Sequence, residues 1–140
     1  MTEAYRVDAN VIVRFLTGEP DEMAKCAKAL MKRADRGEVD LIISVLIVAE
    51  TYWVLHSYYE FSRSQIRDVL SQFVQARGIT TQSRELVEEA LDRSAENNVD
   101  FVDAILSLRA EQNGETVATF DQNDFDKFPS EWINLSETIE

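Results

Sequence analysis

Four carboxylates stand where a carboxylate is costly: Asp8, Glu50, Asp103 and Asp121 each interrupt or adjoin an apolar run. An ionised carboxylate among apolar side chains must be paired or must hold a cation. Glu50 is the only charge between residues 41 and 55, and Asp103 is the only one between 101 and 106. Asp8 sits between a short apolar run and a helix-like pattern, where an Asp also serves as an N-cap. Asp121 follows the run 116–120 in a segment where a turn-forming Asp is ordinary, and Asp124 is its rival. Each acid has a local structural explanation, as a cap, a turn residue, a first-turn anion on the helix dipole or the partner of a core Arg. Together they suggest one metal site. Oxygen-only ligands favour a hard cation, Mg²⁺ or Mn²⁺, over zinc. Mg²⁺ takes one or two carboxylates, keeps several waters and leaves room for a phosphate, a geometry suited to phosphodiester hydrolysis.

Other catalytic machinery is thin. His56 is the only histidine and lies in an apolar helix, so it reads as a core or surface residue rather than a base. Cys26 is the only cysteine, which excludes an internal disulfide and a cysteine-based zinc cluster, and it reads as a small structural residue. No Gly-rich phosphate loop is present. Tyr52, Trp53, Tyr58 and Tyr59 read as packing groups before base-stacking ones, and Arg14 is a weak candidate for a phosphate contact.

The elements that must position the acids follow from periodicity. Residues 5–7 and 40–44 read as short buried strands, 78–81 and 116–120 as further strands, and 132–135 as an edge strand. Helical spacing runs from Asp8 to about residue 16 and again over 20–36, with Pro20 at the first helical position and Ala24, Ala27, Leu30, Met31 and Ala34 on one face. Ser44 caps a helix over 45–59, Ser62 and Gln65 form a capping box, helical spacing runs over 83–97, and Asp100 caps a helix over 101–112. Strands alternating with helices imply an α/β domain with a parallel sheet covered on both faces. Its functional crevice is expected outside the carboxyl ends of the strands, where Asp8 and Asp121 fall.

The chain of 140 residues reads as one domain over residues 1–140, with 45% hydrophobic and 29% charged residues and no apolar run that spans a bilayer. The start of the chain lacks the pattern of an export signal, so a cytoplasmic location is the expectation. The formal net charge of −12 arises wholly after residue 84: residues 1–84 hold 11 acidic and 11 basic side chains, and 85–140 hold 15 acidic and 3 basic. Such acidity does not advertise nucleic-acid binding, which Lys and Arg contacts to phosphate normally drive.

The acids and their neighbours resemble the motifs of the PIN-domain ribonucleases, and within them the VapC-type toxins of type II toxin–antitoxin pairs. Asp8-Ala9-Asn10-Val11 with Arg14-Phe15-Leu16 resembles the opening motif, and Val48-Ala49-Glu50 with Trp53-Val54-Leu55 the second. Asp100-Phe101-Val102-Asp103-Ala104 resembles the third, and Thr119-Phe120-Asp121-Gln122-Asn123-Asp124-Phe125 the fourth. The resemblance implies a three-layer α/β/α sandwich around a mainly parallel sheet of about five strands. It also implies Mg²⁺-dependent cleavage of RNA, a homodimer and an inhibitory antitoxin protein; that no membrane partner is expected follows instead from the lack of a bilayer-spanning apolar run. Asp8, Glu50, Asp103 and Asp121 would be its catalytic and metal residues, with Asp124 the rival of Asp121. The alternative is a catalytically inactive PIN-like or receiver-like acidic pocket that acts through protein binding.

Overall fold

Short β-rich runs and long apolar-striped helices alternate through residues 2–137, which the computed structural model describes. Strands β1 (Glu3–Arg6), β2 (Val39–Ile43) and β3 (Ile79–Thr81) form a parallel sheet in that order, with Tyr5 beside Leu41 and Leu41 beside Ile79. On the central strand Val39, Leu41 and Ile43 are fully buried, whereas Asp40 and Ile42 are half-buried. That period of two is what a pleated strand imposes when one face is packed more tightly than the other. Strands β4 (Val117–Thr119) and β5 (Trp132–Asn134) pair in parallel as a separate two-stranded sheet.

The α/β class with parallel pairing is therefore as the periodicity implies, but one sheet of five strands is not what forms. The strands divide three and two. Strand β4 is three residues long and pairs with β5, and among the described residues no ladder joins it to the other three.

Among the described residues seven α-helices connect these strands: α1 (Ala9–Thr17), α2 (Asp21–Asp35), α3 (Val45–Ser57), α4 (Arg63–Gln75), α5 (Arg84–Asn97), α6 (Phe101–Asn113) and the short α7 (Gln122–Phe125). Their starts are set by local chemistry. The Ser44 hydroxyl accepts from the Ile47 amide at 3.3 Å. Ser62 and Gln65 complete the reciprocal capping box, with bonds of 3.1 and 2.8 Å. Pro20 lies one position earlier than its sequence context suggests, at the cap of α2 rather than inside it. Gly78 has φ of +82°, and a Cβ there would meet the Ala34 backbone, so helix α2 approaches β3 over a bare glycine.

The core is one aliphatic cluster including Leu41, Ile43, Leu55, Ile66, Leu70 and Leu91, closed by Phe101. Tyr52 of α3 stacks on Phe101 of α6 with centroids 5.7 Å apart, and its hydroxyl is hydrogen-bonded to Ser94 of α5. Arg63 at the start of α4 donates to that same hydroxyl at 3.0 Å. These contacts pin the starts of α4 and α6 to α3, which fixes where Asp100 and Asp103 project.

Candidate metal centre

The described residues bring Asp103, Asp121 and Asp124 together: one carboxylate oxygen from each lies within 4.8 Å of one from each of the others. Asp103 projects from the first turn of α6, and Asp121 follows β4 by two residues. The side chain of Asp121 caps α7, accepting from the Asp124 amide at 3.1 Å. That cap turns the chain so that Asp124 returns beside Asp121. The two rivals for one position are thus neighbours in one cluster.

Asp103 is half-buried and makes no hydrogen bond or ion pair among the described residues. Burial raises its pKa to about 6, and the charges of Asp100, Asp124 and Asp121 push the same way against the opposing pull of Arg63. Asp124 is raised too, by desolvation first and then by Asp121, although Lys127 approaches it at 3.7 Å. Three crowded carboxylates, of which Asp103 is unpartnered and Asp124 has Lys127 at 3.7 Å, form an oxygen donor set with more negative charge than its neighbours neutralise. Such a set fits a hard divalent cation, and neither Cys26 nor His56 belongs to it.

Asp8 lies at the carboxyl end of β1, and its Oδ1 accepts from the Asn10 amide at 3.3 Å. It caps α1, and its carboxylate is exposed rather than buried. Glu50 is exposed as well, contrary to the reading of an acid held inside an apolar helix. The reason is that α3 is apolar around nearly its whole circumference, so Leu46 and Trp53, on the same face as Glu50, are exposed with it. Neither Asp8 nor Glu50 joins the three-acid group among the described residues.

Asp100 stands at the cap position of α6, but its side chain makes no capping bond there. It turns instead to Arg63, whose Nη1 donates to it at 2.7 Å. Burial works against the Arg63 charge, yet the hydrogen bonds and charges of Tyr52 and Asp100 outweigh it and raise its pKa. Arg63 is therefore a fixed cation beside the acids. Nothing in its sequence neighbourhood marks it, because the partner lies 37 residues away. Arg14, the weaker phosphate candidate, donates to Tyr59 at 3.2 Å and to the Glu19 carbonyl at 3.4 Å.

His56 is half-buried, with Nδ1 3.0 Å from the Phe61 carbonyl, a structural contact. Cys26 is exposed, not a packed structural residue, because it lies off the Ala27–Met31–Ala34 stripe of α2. Trp53 and Tyr58 are also exposed rather than packed, whereas Tyr52 is buried.

The family model of the PIN domain matches residues 5–131, nearly the whole chain. The chain belongs to the PIN-domain family. A comparison with curated proteins gave no match. The PIN domain is a nuclease fold, and its members generally hydrolyse nucleic acid using divalent metals. Among the described residues, the acidic triad of this PIN domain is the group whose oxygens converge closely enough to hold such an ion.

Proposed function

We propose that this PIN domain is a Mg²⁺-dependent endoribonuclease, with Mn²⁺ as a competent substitute, and that it acts in the cytoplasm as the toxin of a toxin–antitoxin pair. The observation that carries the reading is the convergence of Asp103, Asp121 and Asp124, with Asp103 left unpartnered, in a nuclease fold. A divalent ion held there supplies charge neutralisation at a phosphodiester and a more acidic water. Asp103 and Asp121 are the proposed principal ligands, with Asp124 beside Asp121 on α7. Asp8, at the carboxyl end of β1, and Glu50, on the open face of α3, are proposed to orient water or complete the site. Arg63 holds Asp100 in an ion pair at 2.7 Å and so keeps a cation next to a strongly negative group.

A protein partner is part of the proposal. Between α1 and α2 lies a cavity of about 580 Å³, lined by Met23, Cys26, Ala27 and Leu30 together with Arg14, which suits an antitoxin segment with apolar side chains. Self-association is proposed with it, supported by Leu46, which is 80% exposed on α3.

The test is cleavage of RNA with Mg²⁺ and with EDTA, comparing the native chain with Asp8→Asn and Asp103→Asn. Cleavage that needs metal and fails in both variants supports the mechanism. Metal-independent cleavage, or full activity in both, refutes it. A native chain that binds metal and partner but never cuts RNA would favour the non-catalytic reading.

A further inference from the structure

Among the described residues two cations flank the acidic cluster, and both are tethered to the same turn at the end of α5. Arg63 reaches that turn through Asn98, whose side-chain oxygen accepts from Nε at 3.2 Å. Lys127 reaches it through Asn97, whose backbone carbonyl accepts from Nζ at 3.2 Å. The carbonyls of a helix's last turn have no amide four residues on to bond, and the negative end of the helix dipole lies there. Asn97 is the last residue of α5, and Asn98 turns the chain away with φ of +54°. An ammonium at the Asn97 carbonyl is therefore anchored by the backbone of another element.

The two cations differ in what they hold. Arg63 is committed to Asp100 at 2.7 Å and to the Tyr52 hydroxyl at 3.0 Å, and Asp100 stands outside the three-acid group. Lys127 faces a member of the group, with Nζ 3.7 Å from Asp124 Oδ1. Among the described ion pairs it is the one that reaches Asp103, Asp121 or Asp124. A charge-assisted hydrogen bond from nitrogen to carboxylate spans ~2.7–2.9 Å, so this longer contact is Coulombic and leaves that Asp124 oxygen open to another partner. The charges also balance: the three ionised carboxylates are matched by one divalent cation and one ammonium.

We propose that the Lys127 ammonium is a resident counter-ion of the acidic cluster, held at the Asn97 carbonyl so that it balances Asp124 and opposes a divalent cation. Lys127 is then a positioning residue that sets how tightly the centre holds its metal. The inference rests on the metal centre proposed above and adds a control on its affinity. Its direction is definite. A fixed charge that repels the incoming ion and satisfies one of its carboxylates weakens binding, so removing that charge must strengthen it. Both side chains of the pair are partly exposed, so its loss does little to the stability of the fold.

The experiment follows Mn²⁺ alone, without RNA, binding to the full chain at pH 8, read from the EPR signal of the free ion. Lys127→Gln keeps a hydrogen-bond donor without the charge, Lys127→Met keeps neither, and Lys127→Arg keeps both. Exposed charge pairs are weak, but a divalent ion feels twice the field of a single charge, so Lys127→Gln and Lys127→Met should tighten Mn²⁺ about 3- to 30-fold. Lys127→Arg should stay within about twofold of the native chain. Arg84→Gln removes an exposed cation at the opposite end of α5, ~20 Å from Asn97 at ~1.5 Å per helical residue, and should change affinity by less than about twofold. Damage to the fold loses metal, so it cannot produce a gain. Unchanged or weaker binding in Lys127→Gln and Lys127→Met overturns the proposal. So does an equal gain in Arg84→Gln, which would make the effect one of net charge. Mn²⁺ bound by neither the native chain nor these variants overturns it together with the metal centre. Tightened Mn²⁺ in a chain that never cuts RNA supports the counter-ion and sinks the nuclease reading. Metal-dependent cleavage with unchanged Mn²⁺ affinity in both variants does the reverse.

Discussion

Replacing Asp103 with Asn removes one negative charge from the centre of the acidic cluster at almost constant shape. Asp103 accepts no hydrogen bond among the described residues, so the substitution breaks none. The wild-type carboxyl is raised from 3.8 to about 6 by burial and then by Asp100, Asp124 and Asp121. A tenfold change in proton affinity corresponds to ~1.36 kcal/mol, so a rise of this size sets a ceiling of ~3 kcal/mol on the destabilisation. Because the side chain is half-buried at a crevice, solvent screening reduces this to ~1–2 kcal/mol. A folded-state pKa above the unfolded one means that the native state holds the proton more tightly. The penalty is then full above about pH 7, declines as pH falls through about 6, and vanishes below 3.8. Asp103→Asn should therefore unfold later than wild type in urea at pH 8 without metal, and the gain should fall to roughly half by pH 5. Mg²⁺ should reverse the order, since saturation at ~100 times the dissociation constant adds ~2.7 kcal/mol to a chain that binds it. An Asn variant that is less stable than wild type at pH 8 in EDTA would refute the reasoning, because the carboxylate would then have a native partner.

Gly78→Ala should cost at least ~2–3 kcal/mol in urea unfolding, because φ of +82° and the Ala34 backbone both oppose a Cβ; a loss under ~1 kcal/mol would mean that α2 can shift off β3. Ser62→Ala should lower stability by ~1 kcal/mol by removing one arm of the capping box, and unchanged thermal unfolding would contradict it. Glu50→Gln should leave stability within ~0.5 kcal/mol, as the side chain is exposed, while RNA cleavage falls at least ~10-fold if the residue serves the site; full activity would remove Glu50 from it. Arg63→Met should abolish the ion pair to Asp100 and weaken the lowering influence on Asp103, so the Asp103 carboxyl should titrate higher by NMR.

Residue types alone reveal the class of the fold and part of the cluster, and the pattern of success has a physical cause. Asp103 and Glu50 carry the same sequence signal, a lone charge in an apolar run, yet one is half-buried against other acids and the other is open to solvent. The signal assumes that an apolar run is a buried run. That holds where a helix has one apolar face, as in α2, whose Ala27, Met31 and Ala34 are buried as the spacing implies. It fails on α3, where Val48, Tyr52 and Leu55 face the core while Leu46 and Trp53 face outward. The rank of Asp124 stays open in the sequence for a related reason: the turn that brings it back to Asp121 is built by the Asp121 side chain, so the two cannot be ordered without it. Arg63 is invisible there because its meaning comes from Asp100, across the whole of α4 and α5. The division of the strands into three and two depends on which edges meet, and no local run of residues encodes that. An apolar helix that leaves a Leu and a Trp in solvent beside an acidic cluster has been left with a surface to fill. The same excess of apolar residues that hides the exposure of Glu50 is thus what gives the cleft between α3 and the start of α6, beside Asp103, its aromatic wall.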